Sequence, residues 1–289
     1  MRSAATLPYE SNPSQGVQGC VRLSFVQRHG QSRLESLYHS DPMRVIIPQT
    51  PPGEPVHGVV VTTSGGLVGG DQLDIELIAR PHTQLLVMTQ AAEKVYRSTG
   101  ADSTVQIALH VEAGAFLEWL PQETILFDQG RLRRTTQVYL GENARLLAGE
   151  MVLFGRSAHG EQLRQGLLRD SWLVHREGAL VWADLLKLEG DLQHPLQHPA
   201  ALAGAKGCAT LLLAGEEAAQ LLEPLRGWLA EAGMEGPSVK VAAGVVHGLL
   251  VVRWLGWDAR LLRQGYGQMW SWLRGQLGRP ARMPRLWDI

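Results

Sequence analysis

The sequence predicts a mainly β protein, whose body suits either the coils of a β-solenoid or the paired layers of a sandwich, with a small C-terminal helical part. Three observations carry this expectation. From about Val21 to Trp182 the dominant hydrophobic period is two. Within that stretch, turn signals recur roughly every 30 residues, the spacing of stacked repeats. Only after about Asp191 does the period change to that of a helix.

The elements follow in order. Val59 to Val61 is a short apolar run, and Leu73, Ile75 and Leu77 alternate with Asp74 and Glu76, as a strand with one buried face should. Pro81 to Gln84 turns the chain into Leu85 to Met88. Val105 to Glu112 alternates again; Ala113-Gly114-Ala115 then leads into Phe116 to Leu120, and Gly141 to Ala144 into Leu146-Leu147. Each unit reads as strand, turn, strand. Beyond a Pro- and His-bearing connector, Gln193 to Pro199, a strand is expected over Cys208 to Leu213 and a helix over Glu216 to Ala232, with Gly233 as its C-cap. Pro224 implies a kink there or two short helices. Val245 to Trp254 reads as a strand and Arg260 to Leu277 as a closing helix whose apolar set is Leu261, Leu262, Met269, Trp270 and Leu273. The organisation expected is a tail over 1–19 and one domain over 20–289, with the β body at about 20–190 and an α/β part at about 191–289. Six of the nine tryptophans lie from Trp228 onward, where they either hold a helical cap on the β body or form a partner surface.

Composition excludes several classes. With 27 Lys+Arg against 28 Asp+Glu, the net charge of -1 leaves no basic excess for a polyanion, so nucleic acid is not expected. No apolar run approaches the roughly 18 residues of a membrane span. The first residues carry no apolar signal segment, which makes a cytoplasmic location the expectation. Cys20 and Cys208 are far apart and in no paired motif.

No catalytic constellation stands out. Ser64-Gly65-Gly66-Leu67-Val68-Gly69-Gly70-Asp71 has Asp71-Gln72 where a phosphate loop carries Lys and a hydroxyl, and it continues as a strand, so it reads as a strand-to-strand corner. Ser157 narrowly misses a nucleophile elbow because His159 occupies the final glycine position. His194 and His198 are four apart, yet both precede proline and read as loop residues. What remains is a scatter of carboxylates in the β body, among which Glu118 and Glu123 flank Trp119-Leu120-Pro121 in an apolar setting that penalises an unpaired charge. By itself this favours a binding or scaffold protein over an enzyme.

Three stretches together resemble the urease accessory protein UreD (UreH) family: Gly65 to Asp71; Thr89-Gln90-Ala91-Ala92-Glu93-Lys94-Val95-Tyr96-Arg97-Ser98; and Leu117-Glu118-Trp119-Leu120-Pro121-Gln122-Glu123. Weaker likenesses at Gly155 to Glu161, Leu188 to Gly190, Gly248 to Arg253 and Pro284 to Trp287 extend the resemblance from about Val21 onward. Ser64 stands where proline is expected, and Glu93 where a small or hydroxyl residue is usual; pairing with Lys94 is the simple account of the latter. The resemblance implies a β-helical fold and a non-catalytic role in maturing the nickel enzyme urease. It further implies binding to apo-urease and to UreF, and through UreF to the GTPase UreG, with no tightly bound cofactor and transient Ni²⁺ as cargo. Asp71, Glu118, Glu123 and Glu150 are the carboxylates expected to line an internal nickel path, because Ni²⁺ in transit needs oxygen or nitrogen donors that release it. Lys94 and Arg97 are expected to pair with internal carboxylates or to shape the complex. Arg260, Arg263 and Trp270 are the expected UreF-facing residues. The competing readings are a solenoid binding module with no metal role and a metal-assisted hydrolase.

Overall fold

The computed structural model describes residues 16–156 and 160–287. Its strands run, in chain order, β1 (Gln18–Arg28), β2 (Gln31–Ser40), β3 (Met43–Ile46), β4 (Val56–Thr62), β5 (Gln72–Ala79), β6 (Gln84–Thr89), β7 (Glu93–Val95) and β8 (Ser103–Val111). They continue as β9 (Phe116–Leu120), β10 (Thr124–Leu126), β11 (Arg131–Leu140), β12 (Arg145–Phe154), β13 (Gln165–Arg176) and β14 (Ala179–Asp191). After α1 (Gln193–Gln197) come β15 (Gly207–Ala214), α2 (Leu222–Glu231), β16 (Val239–Val246), β17 (Leu249–Gly256) and α3 (Ala259–Gln276).

The body is a stack of coils. Each coil lays a strand in a first sheet, turns, lays one in a second sheet, and closes through a short third side. In the first sheet, ordered β14-β13-β11-β8-β5-β1-β2, the five strands β1, β5, β8, β11 and β13 are mutually parallel. In the second, β4, β6, β9 and β12 are parallel and in register. On the third side β7 and β10 pair with each other, and β10 pairs with the end of β12. Equivalent side chains therefore stack as ladders: Leu77, Leu109, Val138 and Val174 in the first sheet, Leu85, Leu117 and Leu146 in the second. The repeated turns of the sequence are the corners between these sides.

One apolar core fills the space between the sheets. Another lies between the outer face of the second sheet and the helices. Covered on both faces, β9 is buried at every residue and shows no alternation. The first sheet has one covered face, which is why β5, β8 and β11 alternate.

Several expectations are corrected. The strand expected over Val245 to Trp254 is the end of β16, a tight turn at His247-Gly248 with positive φ at both residues, and most of β17. The helix expected from Glu216 begins at Leu222; Pro224 then lies in its first turn, where a missing N–H costs nothing, and causes no kink. Within the Gln193 to Pro199 connector, Gln193–Gln197 forms α1, with Pro195 again in a first turn and His198 as its C-cap, and the His194 and His198 rings lie 5.5 Å apart. Strand β1 starts at Gln18, inside the expected tail, of which residues 1–15 lie outside the described residues. Strands β15, β17 and β16 extend the second sheet beyond β12, so backbone pairing runs across residue 191. Asp258 caps α3 by accepting the Leu261 N–H at 2.9 Å.

Candidate functional site: a carboxylate-lined cavity

The glycine corner, the segment around Glu93 and the Trp119-Leu120-Pro121 strand end, which are remote in sequence, meet in space. Leu67 N–H donates to Lys94 O at 2.7 Å, and Tyr96 N–H returns a bond to Leu67 O at 2.8 Å. The Thr89 hydroxyl accepts from Gln122 N–H at 2.7 Å, and Glu123 O accepts from Glu93 N–H at 2.9 Å. Gly66 makes this approach possible: its φ is +145°, and a Cβ there would lie 2.5 Å from the Tyr96 ring and 2.6 Å from Lys94 O. Together the three segments frame a cavity of about 150 Å³ between the sheets, large enough to hold several waters.

Its walls are apolar, with Leu73, Ile75, Val105, Ile107 and Trp119 among them, and its polar groups come from six strands and the loops at its mouth. Glu93 lies near that mouth. Burial pushes its carboxyl up to about 7, against the Thr62 hydroxyl and reinforced by the Asp71 carboxylate. Deeper in, Arg134 and Glu150 also line the cavity. Arg134 occupies an inward ladder position, in register with Val105 on one side and Asp170 on the other. Its Nε donates to Asp170 Oδ1 at 2.9 Å and one terminal nitrogen to Thr124 Oγ1 at 2.9 Å. The other terminal nitrogen contacts Asp170 Oδ2, and Glu150 Oε2 at 2.8 Å. Trp172 Nε1 donates to the second Glu150 oxygen. One guanidinium thus faces two carboxylates. Burial raises the Glu150 carboxyl, Arg134 opposes that rise, and the Asp170 charge adds to it. Nearby, burial pushes the Cys208 thiol up to about 12, with Asp170 and Glu150 contributing.

The UreD urease accessory protein family matches residues 17–288 of this sequence. The chain belongs to the UreD family. Three curated relatives agree over nine tenths or more of their length. "Urease accessory protein UreD" of Chelativorans sp. (strain BNC1) is 39% identical over 289 residues, 100% of each chain. The protein of that name from Azorhizobium caulinodans is 39% identical over 271 residues, 94% of this chain and 96% of its own. "Urease accessory protein UreD 1" of Methylobacterium radiotolerans is 41% identical over 268 residues, 93% of this chain and 90% of its own. Membership supports an accessory role in urease maturation.

Against this UreD cavity, the carboxylates expected from sequence separate. Only Glu150 lines it. Asp71 is buried, with its two oxygens accepting Val17 N–H at 2.9 Å and Val68 N–H at 2.8 Å, so it closes the glycine corner. Glu118 projects from the opposite face of the second sheet, where Arg274 Nε meets it at 2.8 Å and Trp270 Nε1 at 3.3 Å. Glu123 is paired with Arg263. Glu93 is not ion-paired with Lys94 among the described residues; Lys94 is an exposed residue on the cavity lining, and Arg97 is exposed and does not line it. Of the expected partner residues, Arg260 and Arg263 line an open groove of about 680 Å³ along α3, with Trp228, Gly267 and Arg282. Trp270 is fully buried beneath it and cannot touch a partner. Among the described residues no group of three or more His, Cys, Asp or Glu is arranged to hold a metal ion, and no helix is long and apolar enough to cross a membrane. Ser157 lies outside the described residues.

Sequence reasoning missed Glu93 as a cavity residue, and Arg134 and Asp170 altogether. A signal existed. In Leu132-x-Arg134-x-Thr136-x-Val138, in Leu168-x-Asp170-x-Trp172-x-Val174 and in Leu146-x-Ala148-x-Glu150-x-Val152, one charge stands in phase with the apolar set, so the alternation itself points it inward.

Proposed function

We propose that this chain is a non-catalytic scaffold of urease maturation in the cytoplasm. It binds apo-urease and, through UreF, the GTPase UreG, and nickel passes through the carboxylate-lined cavity on its way to the apo-enzyme. The observation that carries the reading is the convergence of the three family-like segments on one cavity, rather than on a surface cleft with a nucleophile and base. A divalent cation there finds oxygen donors from Glu93, Glu150 and the threonine hydroxyls, and apolar walls that leave it few other partners. Hard oxygen donors hold Ni²⁺ without the near-irreversible grip of a thiolate cage, which suits release. No tightly bound cofactor is part of this reading.

The α3 groove is the face assigned to UreF. Arg260 has no ion-pair partner among the described residues and stands at its rim. Arg260→Glu should weaken UreF capture by tenfold or more while leaving the fold intact, since like-charge or lost-charge effects at a docking rim are of that order; unchanged capture removes this assignment. For the cavity, Glu93→Gln and Glu150→Gln complexes should assemble with apo-urease and UreF and yet deliver less nickel. Normal nickel content in urease matured by both variants would overturn the reading.

A further inference from the structure

Arg134 is the anomalous lining residue of the cavity. Its side chain is 8% exposed, those of Glu150 and Asp170 are 11% and 3%, and all three stand at inward positions, in phase with the buried set of their own strands. A well-packed apolar trio would hold such a position at least as stably, because desolvating a guanidinium and two carboxylates offsets most of their attraction. Fold stability therefore does not account for the cluster. Its geometry does suggest a use. Two guanidinium nitrogens face Asp170 in the bidentate fork that binds carboxylates most firmly, and one of them also reaches Glu150. Every strong anionic donor at the inner end of the cavity is thereby occupied by a cation that the protein supplies itself. Arginine stays charged under all ordinary conditions, so this occupancy ends only when the guanidinium moves.

We propose that Arg134 is a resident counter-cation that gates the inner end of the cavity: a cargo cation arriving from the Glu93 side reaches Glu150 and Asp170 only by displacing the guanidinium. The inference rests on the reading of the cavity as a divalent-cation passage. Displacement selects by charge. At equal distance a divalent ion interacts twice as strongly with the carboxylate pair as a monovalent one, and a single positive charge without a fork cannot compete with the bidentate pair. The gate thus passes a divalent metal and refuses the abundant K⁺. It also keeps the carboxylates compensated when no cargo is present, which an interior of this polarity requires. Thr124, bonded to the remaining terminal nitrogen at 2.9 Å, is the pivot on which the head can turn toward the cavity space.

The test is Ni²⁺ affinity of the full-length chain, measured by competition with a chromophoric chelator at low and high KCl. All proteins carry H194A and H198A, because those neighbouring imidazoles would bind nickel themselves. With Arg134 intact, affinity should be insensitive to KCl. In Arg134→Gln it should tighten by about tenfold at low KCl and weaken severalfold as KCl is raised, because the carboxylates are then open to both ions. Arg134→Lys, which keeps the charge and loses the fork, should behave in the same direction with a smaller change, and it replaces the glutamine variant if that chain does not fold. Affinity and KCl response identical to the intact protein in the variant that folds would overturn the gate. Glu93→Gln and Glu150→Gln separate the two levels. If they abolish binding while the Arg134 variants leave it unchanged, the passage stands and the gate falls; if neither affects binding, the passage reading falls and the gate with it.

Discussion

Replacing Glu93 by glutamine should alter how stability depends on pH, in a direction the structure fixes. The carboxyl lies in the cavity beside Thr62 and within reach of Asp71, and burial holds it up at about 7 instead of the usual 4.5. Below pH 4.5 it is protonated in both folded and unfolded chains and does not bias folding. Between 4.5 and 7 the folded chain keeps the proton and the unfolded chain releases it, so stability falls as pH rises and the loss is complete above 7. A change of that size corresponds to about 3 kcal/mol, and partial solvent access at the mouth cuts it to about 2. Glutamine keeps the shape and removes the titration. Urea unfolding of both proteins from pH 5 to pH 8.5 should therefore show the wild type losing about 2 kcal/mol relative to the variant as pH rises, which is a Tm difference of roughly 5 °C for a chain this long. Glu150 is also raised and is present in both proteins, so the difference between the two curves isolates Glu93. Parallel curves would refute the placement of a neutral carboxyl in the cavity.

Other consequences can be checked together. Arg274, on the inner face of α3, is fully buried and bound to Glu118, Glu54 and the Pro280 and Arg282 carbonyls. Arg274→Met should cost about 3–5 kcal/mol in denaturant unfolding by stranding two buried carboxylates, and adding Glu118→Gln should recover part of that; a cost below 1 kcal/mol would show the pair to be solvated. Gly66→Ala forces a Cβ into the Tyr96 ring and Lys94 O at a φ of +145°. It should destabilise by about 1–3 kcal/mol and disturb the cavity mouth, visible as changed amide shifts across residues 89–96.

How far the fold was legible follows from which faces are covered. The first sheet has one open face, so Leu73-Asp74-Ile75-Glu76-Leu77 alternates and its strands could be read directly. Helix α3 was legible because its buried set, Leu262, Met269, Trp270 and Leu273, keeps helical spacing. The α2 boundary was not, because Ala218 and Leu221 continue the spacing through a turn that only tertiary contacts define. The site divides in a similar way. The segments that build the cavity were recognisable in the sequence, but the direction of each carboxylate was not. Glu118 and Trp119 are adjacent on β9, and one residue of difference sends Glu118 to Arg274 beneath the helix and Trp119 into the cavity. Trp270 was expected at a surface because tryptophan is enriched where partners dock; its ring belongs to the apolar face of α3 and lies under the groove. The family resemblance cast Glu93 as a departure from pattern, and only the closed third side of the coil shows that it faces inward.

The most direct test of the account is the nickel content of urease matured with the Glu93→Gln/Glu150→Gln double variant, measured by atomic absorption on samples shown by size-exclusion chromatography to have formed the same complexes as wild type. The cavity account predicts intact complexes and a large deficit of nickel in the urease. Intact complexes with wild-type nickel content would contradict it, and would leave this member of the UreD family a scaffold through whose interior no metal passes.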